Sequence, residues 1–233
     1  MEQNIIIGIT CLLGVVSPAA FLYAFHKGLN RISWNASKKQ QYWNRLLMGV
    51  MLWTILLFLT TIAGAYEYRI GDYLPRFLVG LFVPVLLMII AQFRSSISDW
   101  IESIDIGTLI GVQFFRLFGA VFFLIAITGA GPKDFMSSGY GDVLTGALAI
   151  AVNLMYYSNN RYSKMGAWLF TLIGMLDLLC VSYILLKYYP TWSSAIPSTA
   201  SAGSFPMMIV IGITAPIALL LHVFVIRKLI KNQ

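Results

Sequence analysis

The chain has 233 residues, of which 59% are hydrophobic and only 11% charged, with a formal net charge of +7 and a mean hydropathy of +0.80. A water-soluble domain carries about a quarter charged residues, so most of this surface is excluded from facing water and the chain reads as an integral membrane protein. No stretch offers a solvated basic face, which excludes nucleic acid as a partner despite the positive charge.

A helix that crosses the hydrocarbon needs about 20 apolar residues, because the layer is about 30 Å thick and a helix rises about 1.5 Å per residue. Seven stretches qualify: residues 4–26, 45–65, 77–93, 108–128, 141–157, 166–186 and 206–227. Their apolar residues are consecutive rather than alternating, which specifies helices and not barrel strands. The expected fold is an all-α bundle of seven transmembrane helices in a single domain spanning 1–233, since no loop is long enough for a second one.

The first stretch lacks a basic leader and is long enough to span, so it reads as a retained helix rather than a signal peptide. The connection "KGLNRISWNASKKQQYWNR" is expected to hold a short surface helix, with Trp34, Tyr42 and Trp43 at headgroup level. The segment "RSSISDWIESID" between spans three and four is acidic. Span five is the weakest, opening on Asp142 with only fifteen residues from Val143 to Tyr157 before polar Ser158. The segment 188–204, rich in Pro, Ser and Ala, reads as irregular structure capping one face. Pro18, Pro84 and Pro216 interrupt spans one, three and seven, where they kink helices and free carbonyls for other partners. The tetrapeptide IGIT recurs in the first and last spans, at positions that a repeat of two halves would not equate.

Lys and Arg set the expected orientation. One face holds Lys27, Arg31, Lys38, Lys39, Arg45, Arg94, Arg161, Lys164, Arg227, Lys228 and Lys231; the other holds Arg69, Arg76, Lys133 and Lys187. Eleven against four places the N-terminus outside and the C-terminus inside. The same charges attract anionic headgroups weakly, which makes membrane lipids the natural surroundings. Cys11 and Cys180 lie within spans and read as small buried hydrophobes.

One charge stands out. Arg116 lies in "IGVQFFRLFGAVFFLIAITG", near the centre of span four, where a cation costs about 2.5–3.5 kcal/mol and must face the bundle interior and find a partner. Gln113 and Gly119 share its helical face. By depth, Asp177 in span six is the favoured partner; Asp142, at the start of span five, sits some 10–15 Å higher unless the preceding glycine-rich link dips into the membrane. Asp142 heads a stripe with Gly146, Ala149 and Asn153, and as the first residue of a helix it is also favoured by the helix dipole alone. His26 and His222 fall near helix ends and read as interfacial rather than as metal or haem ligands. No metal set or cofactor is implied: there is no lysine in 206–227 to carry a retinal Schiff base, and no P-loop, HExxH or GxSxG.

Residues 112–150 resemble a bacterial group of small multi-spanning membrane proteins that share a Gln and an Arg-x-x-Gly in one span, a short Pro- and Phe-containing link, and a Gly-x-Gly-Asp at the next span. The corresponding residues are Gln113, Arg116, Gly119, Pro132, Phe135, Gly139, Gly141 and Asp142, with Gly131-Pro132 where the group often has Leu-Pro. The resemblance implies a shared site without a known chemistry, a bacterial inner membrane location, and a link that brings Asp142 down toward Arg116. The expected site is Arg116, Gln113, Asp142, Asp177 and Asn153. Such a site suits binding or transport of a small anionic or zwitterionic solute, or proton relay. The alternatives are an intramembrane enzyme acting on a lipid or isoprenoid with the carboxylates as acid and base, and a structural or sensory subunit.

Overall fold

Long apolar runs leave the backbone only itself to hydrogen-bond with, and the chain answers with helices. The computed structural model describes residues 2–231, which contain no strand. The elements are α1 (Glu2–Arg31), α2 (Ala36–Ile62), α3 (Phe77–Ala91), α4 (Ser95–Ser103), α5 (Ile106–Ile127), α6 (Phe135–Tyr157), α7 (Ser163–Lys187) and α8 (Met207–Lys231). Six of them are long and apolar enough to cross a bilayer; α3 and α4 meet the same test only taken together, and are bent by 100° at their junction, so the count is six, or seven with that pair as one broken span. The all-α class and the helical bundle expected from the sequence are what the chain adopts.

Two boundaries differ from expectation. Asn35 caps α2, its side chain accepting from the Lys38 backbone N–H at 2.8 Å, so the surface helix expected ahead of span two is instead the first turns of α2 itself. More consequentially, α6 starts at Phe135 rather than at 141, and Asp142 is its eighth residue. The second half of the segment read as a glycine-rich link is helical, and only residues 128–134 remain as the turn.

α8 is the most buried of the six long spans and forms the axis of the bundle, whereas α2 buries only Leu57 and Thr61 and lies at the periphery. The lipid-facing shell is supplied by exposed side chains such as Leu52 and Leu59 on α2, Leu87 on α3 and Leu172 on α7. Helix α4 lies across the basic face on α1 and α8. Trp100 Nε1 donates to the Phe25 carbonyl at 2.8 Å, Ser103 Oγ to that of Gly28 at 3.0 Å, and Glu102 receives Arg227 at 2.9 Å and Lys231 at 3.0 Å. The acidic segment between α3 and α5 thus neutralises part of the basic face: Asp105 also caps α5 through the Thr108 N–H and pairs with Arg31 at 2.5 Å.

Each of the three span prolines follows a glycine by four positions: Gly14 and Pro18 in α1, Gly80 and Pro84 in α3, Gly212 and Pro216 in α8. A proline cannot donate to the carbonyl four residues earlier, and its ring crowds that carbonyl. In α8 the carbonyl so released is that of Gly212, inside a π-helical stretch over Val210–Thr214, and Trp53 of α2 donates to it through Nε1 at 2.8 Å. The glycines also bring helices together: a Cβ on Gly14 would stand 2.5 Å from Ile209 Cγ2, and one on Gly212 2.6 Å from Leu57. Trp53→Phe keeps the aromatic packing and removes the donor, so it should cost about 1–3 kcal/mol of stability in a detergent-titrated unfolding assay, while Trp43→Phe should cost little. Equal effects of the two would show that the Gly212 carbonyl does not depend on Trp53.

Candidate functional site

The fourth span is not a uniform α-helix. Residues Val112–Ala120 wind as a 3₁₀ helix, nine residues long where runs beyond three or four are uncommon. Here α6 comes closest to α5: a Cβ on Gly146 would stand 2.6 Å from the backbone N of Leu117. In a 3₁₀ helix side chains three apart eclipse one another, so Gln113, Arg116 and Gly119 form a single ridge toward the bundle interior.

Arg116 is 2% exposed and both candidate aspartates reach it. Its Nε donates to Asp142 Oδ1 at 2.7 Å, Nη2 donates to Asp177 Oδ2, and Nη1 donates to the Gly174 carbonyl at 3.3 Å. The choice that the sequence left between Asp177 and Asp142 is resolved as both. Asp142 needs no dipping link: as the eighth residue of α6 it lies about 10 Å below the helix start, the depth at which Arg116 sits. The dipole-stabilised helix-start reading of Asp142 is therefore corrected. The two carboxylates thus accept from one guanidinium.

Small residues make the convergence possible. A Cβ on Gly119 would collide with the side chain of Asp142, and one on Gly141 with that of Asp177. Gly174 gives the same room to His222.

His222 is the member that sequence reasoning missed. It is fully buried in α8, its Nε2 lies 3.3 Å from Arg116 Nη1, and its ring stacks on Phe170 with centroids 4.9 Å apart. A guanidinium can only donate, so Nε2 accepts and the ring proton sits on Nδ1, which has no hydrogen-bond partner among the described residues. The depth comparison applied to Asp177 would have found it, because His222 is five residues short of 227. His26 behaves as expected, resting edge-on against Trp43 at the basic face.

Gln113 is fully buried one 3₁₀ turn from Arg116, about 6 Å toward the basic face, and among the described residues neither its amide atoms nor Thr171 Oγ1 has a hydrogen-bond partner. Asn153 does not join the centre. Eleven residues beyond Asp142, about 16 Å along α6, it packs against Gly107 and Gly111 and lines a different cavity with Lys27 and Thr108.

The Arg116 centre forms one wall of a cavity of about 300 Å³ that is otherwise lined mainly by apolar side chains of α3, α5, α7 and α8. Phe82 on α3 and Leu179 on α7 line it and are also 55% and 62% exposed, so the cavity reaches the lipid-facing surface between those helices. No group of three or more His, Cys, Asp or Glu suited to a metal ion occurs among the described residues.

These features define an all-helical, membrane-embedded bundle with a buried Arg–Asp–Asp–His centre beside an apolar cavity. The chain belongs to the family described as a domain of unknown function, DUF8737, which matches residues 74–230. That match takes in all four ionisable side chains of the centre and leaves α1 and α2 outside it. No curated protein and no solved structure matches the chain.

Removing one partner of a buried ion pair costs more than removing the whole set. Arg116→Gln alone should lower stability by about 3–5 kcal/mol, and adding Asp142→Asn and Asp177→Asn should recover much of it, as read by thermal unfolding in detergent. A triple variant no more stable than Arg116→Gln would mean that the aspartates are not held by the arginine.

Proposed function

We propose that this is a solute-binding membrane protein of the transporter kind, in which Arg116, Asp142, Asp177 and His222 bind the polar part of a ligand, or a proton, and the adjoining cavity takes an apolar body. The observation that supports this is charge balance. One guanidinium faces two carboxylates, and a neutral histidine completes the set, which leaves one negative charge in surroundings where an uncompensated carboxylate is costly. The centre therefore takes one more positive charge: a proton in the resting state, or the ammonium group of a ligand. Between the anionic and zwitterionic solutes that the sequence admits, this favours the zwitterion, because Arg116 has committed its Nε and Nη2 donors to carboxylates.

Exchange of proton for ammonium at one centre is the chemistry of coupled transport, and the unpartnered Gln113, Thr171 and His222 Nδ1 suit a hydrated path between the centre and the basic face. With that face on the cytoplasmic side and the N-terminus outside, proton access is from the cytoplasm of a bacterial inner membrane. A second reading rests on the opening between α3 and α7: a cavity that reaches lipid beside paired carboxylates also suits acid–base chemistry on a lipid or isoprenoid, and turnover of such a lipid by the purified protein would select it.

The proton is directly measurable. At neutral pH the infrared spectrum of the purified protein should contain a protonated buried carboxyl band that is lost in Asp142→Asn/Asp177→Asn and is bleached by tetrapropylammonium. Calorimetry in two buffers of different ionisation enthalpy should then report about one proton released per tetrapropylammonium bound. A wild-type spectrum without that band at neutral pH would defeat the reading.

A further inference from the structure

Away from the Arg116 centre, two cavities run together on the basic-face half of the bundle. One, of about 270 Å³, lies among α1, α2, α3 and α8 and is floored by Pro18, Pro84 and Pro216. The other, of about 350 Å³, lies at the basic face between α2, α3 and α4. They share Arg45, Leu46, Leu87 and Met88, so together they form one groove that runs along α2 from Tyr42 to Thr54, about 18 Å. Its walls are almost wholly apolar, and no acidic side chain lines either part.

The charged end of this groove is unbalanced. Arg45 and Arg94 line it at the basic face, both are exposed, and neither is ion-paired among the described residues; Arg45 lies over the Tyr42 ring, 5.7 Å from its centroid. Of the other basic-face cations, Arg31, Arg227 and Lys231 have carboxylate partners at 2.5, 2.9 and 3.0 Å; Lys27, Lys38 and Arg161 rest on Thr108, Trp34 and Tyr162 instead, and none of these three lines the groove. Arg94 is also the N-cap residue of the nine-residue α4, whose N-terminus no side chain caps among the described residues. Two guanidiniums and a helix N-terminus converge at headgroup level, above an apolar groove that enters the membrane.

We infer that this groove is a binding site for one anionic phospholipid, its phosphate held by Arg45 and Arg94 and an acyl chain laid along α2 as far as Trp53. The lipid fills the gap that leaves α2 so poorly buried. Gly49 lines the groove, and a Cβ there would meet nothing within 4 Å, so the acyl path can be blocked without disturbing protein contacts.

The test is native mass spectrometry of the full chain in detergent with added phosphatidylglycerol or phosphatidylcholine. Wild type should retain one phosphatidylglycerol in preference to phosphatidylcholine. Arg45→Gln/Arg94→Gln should weaken retention about thirtyfold, whereas Lys38→Gln/Lys39→Gln, on the same face but outside the groove, should leave it nearly unchanged. Gly49→Leu should weaken retention of both lipids with both arginines intact. Equal retention by wild type and the double arginine variant, equal binding of the two phospholipids by wild type, or no effect of Gly49→Leu would each overturn the site. A loss matched by the lysine variant would reduce it to general attraction between the basic face and the bilayer.

Discussion

The pairing of Arg116 with Asp142 and Asp177 is the constraint around which the middle of this bundle is arranged. A guanidinium placed at that depth needs its donors filled by protein, and the two carboxylates come from different helices, α6 and α7. Bringing three helices within side-chain reach demands that some positions carry no side chain, which accounts for Gly119, Gly141 and Gly146. The long 3₁₀ stretch belongs to the same arrangement. By eclipsing residues three apart it stacks Gln113, Arg116 and Gly119 into one ridge, where an α-helix would fan them over an arc.

That pairing is buried within the bundle, where the one carboxylate charge it leaves over is costly. An arginine between two carboxylates is not charge-balanced in the way that a one-to-one pair is, and an apolar cavity lies against it. His222, neutral and stacked on Phe170, extends the centre to the axial helix α8, so three surrounding helices and the axis share one polar junction.

Much of this was legible in the sequence, for reasons that can be named. Hydrocarbon thickness makes span length readable, and the cost of a buried cation makes Arg116 announce a partner. Depth counting chose Asp177 correctly. It misjudged Asp142 because Gly139 and Gly141 resemble the loop glycines that interrupt helices, whereas here they clear space for Phe123 and Asp177 inside one. Asn153 was grouped with Asp142 because both lie on one face of α6, but a face has length as well as direction, and the far end of this one serves another cavity. The Gly-x-x-x-Pro spacing at 14–18, 80–84 and 212–216 stood in the sequence too; that the three prolines converge on one cavity needed the fold.

The hydrogen bond from Trp53 to Gly212 carries one more implication. A helix that takes a missing donor from a neighbour has its curvature decided partly by that neighbour. Since α2 is held by so few other buried contacts, the outermost helix acts as a prop for the innermost one. Whatever widens or narrows the gap beneath α2 then bears on the bend of α8, and through His222 on the far side of the same rod.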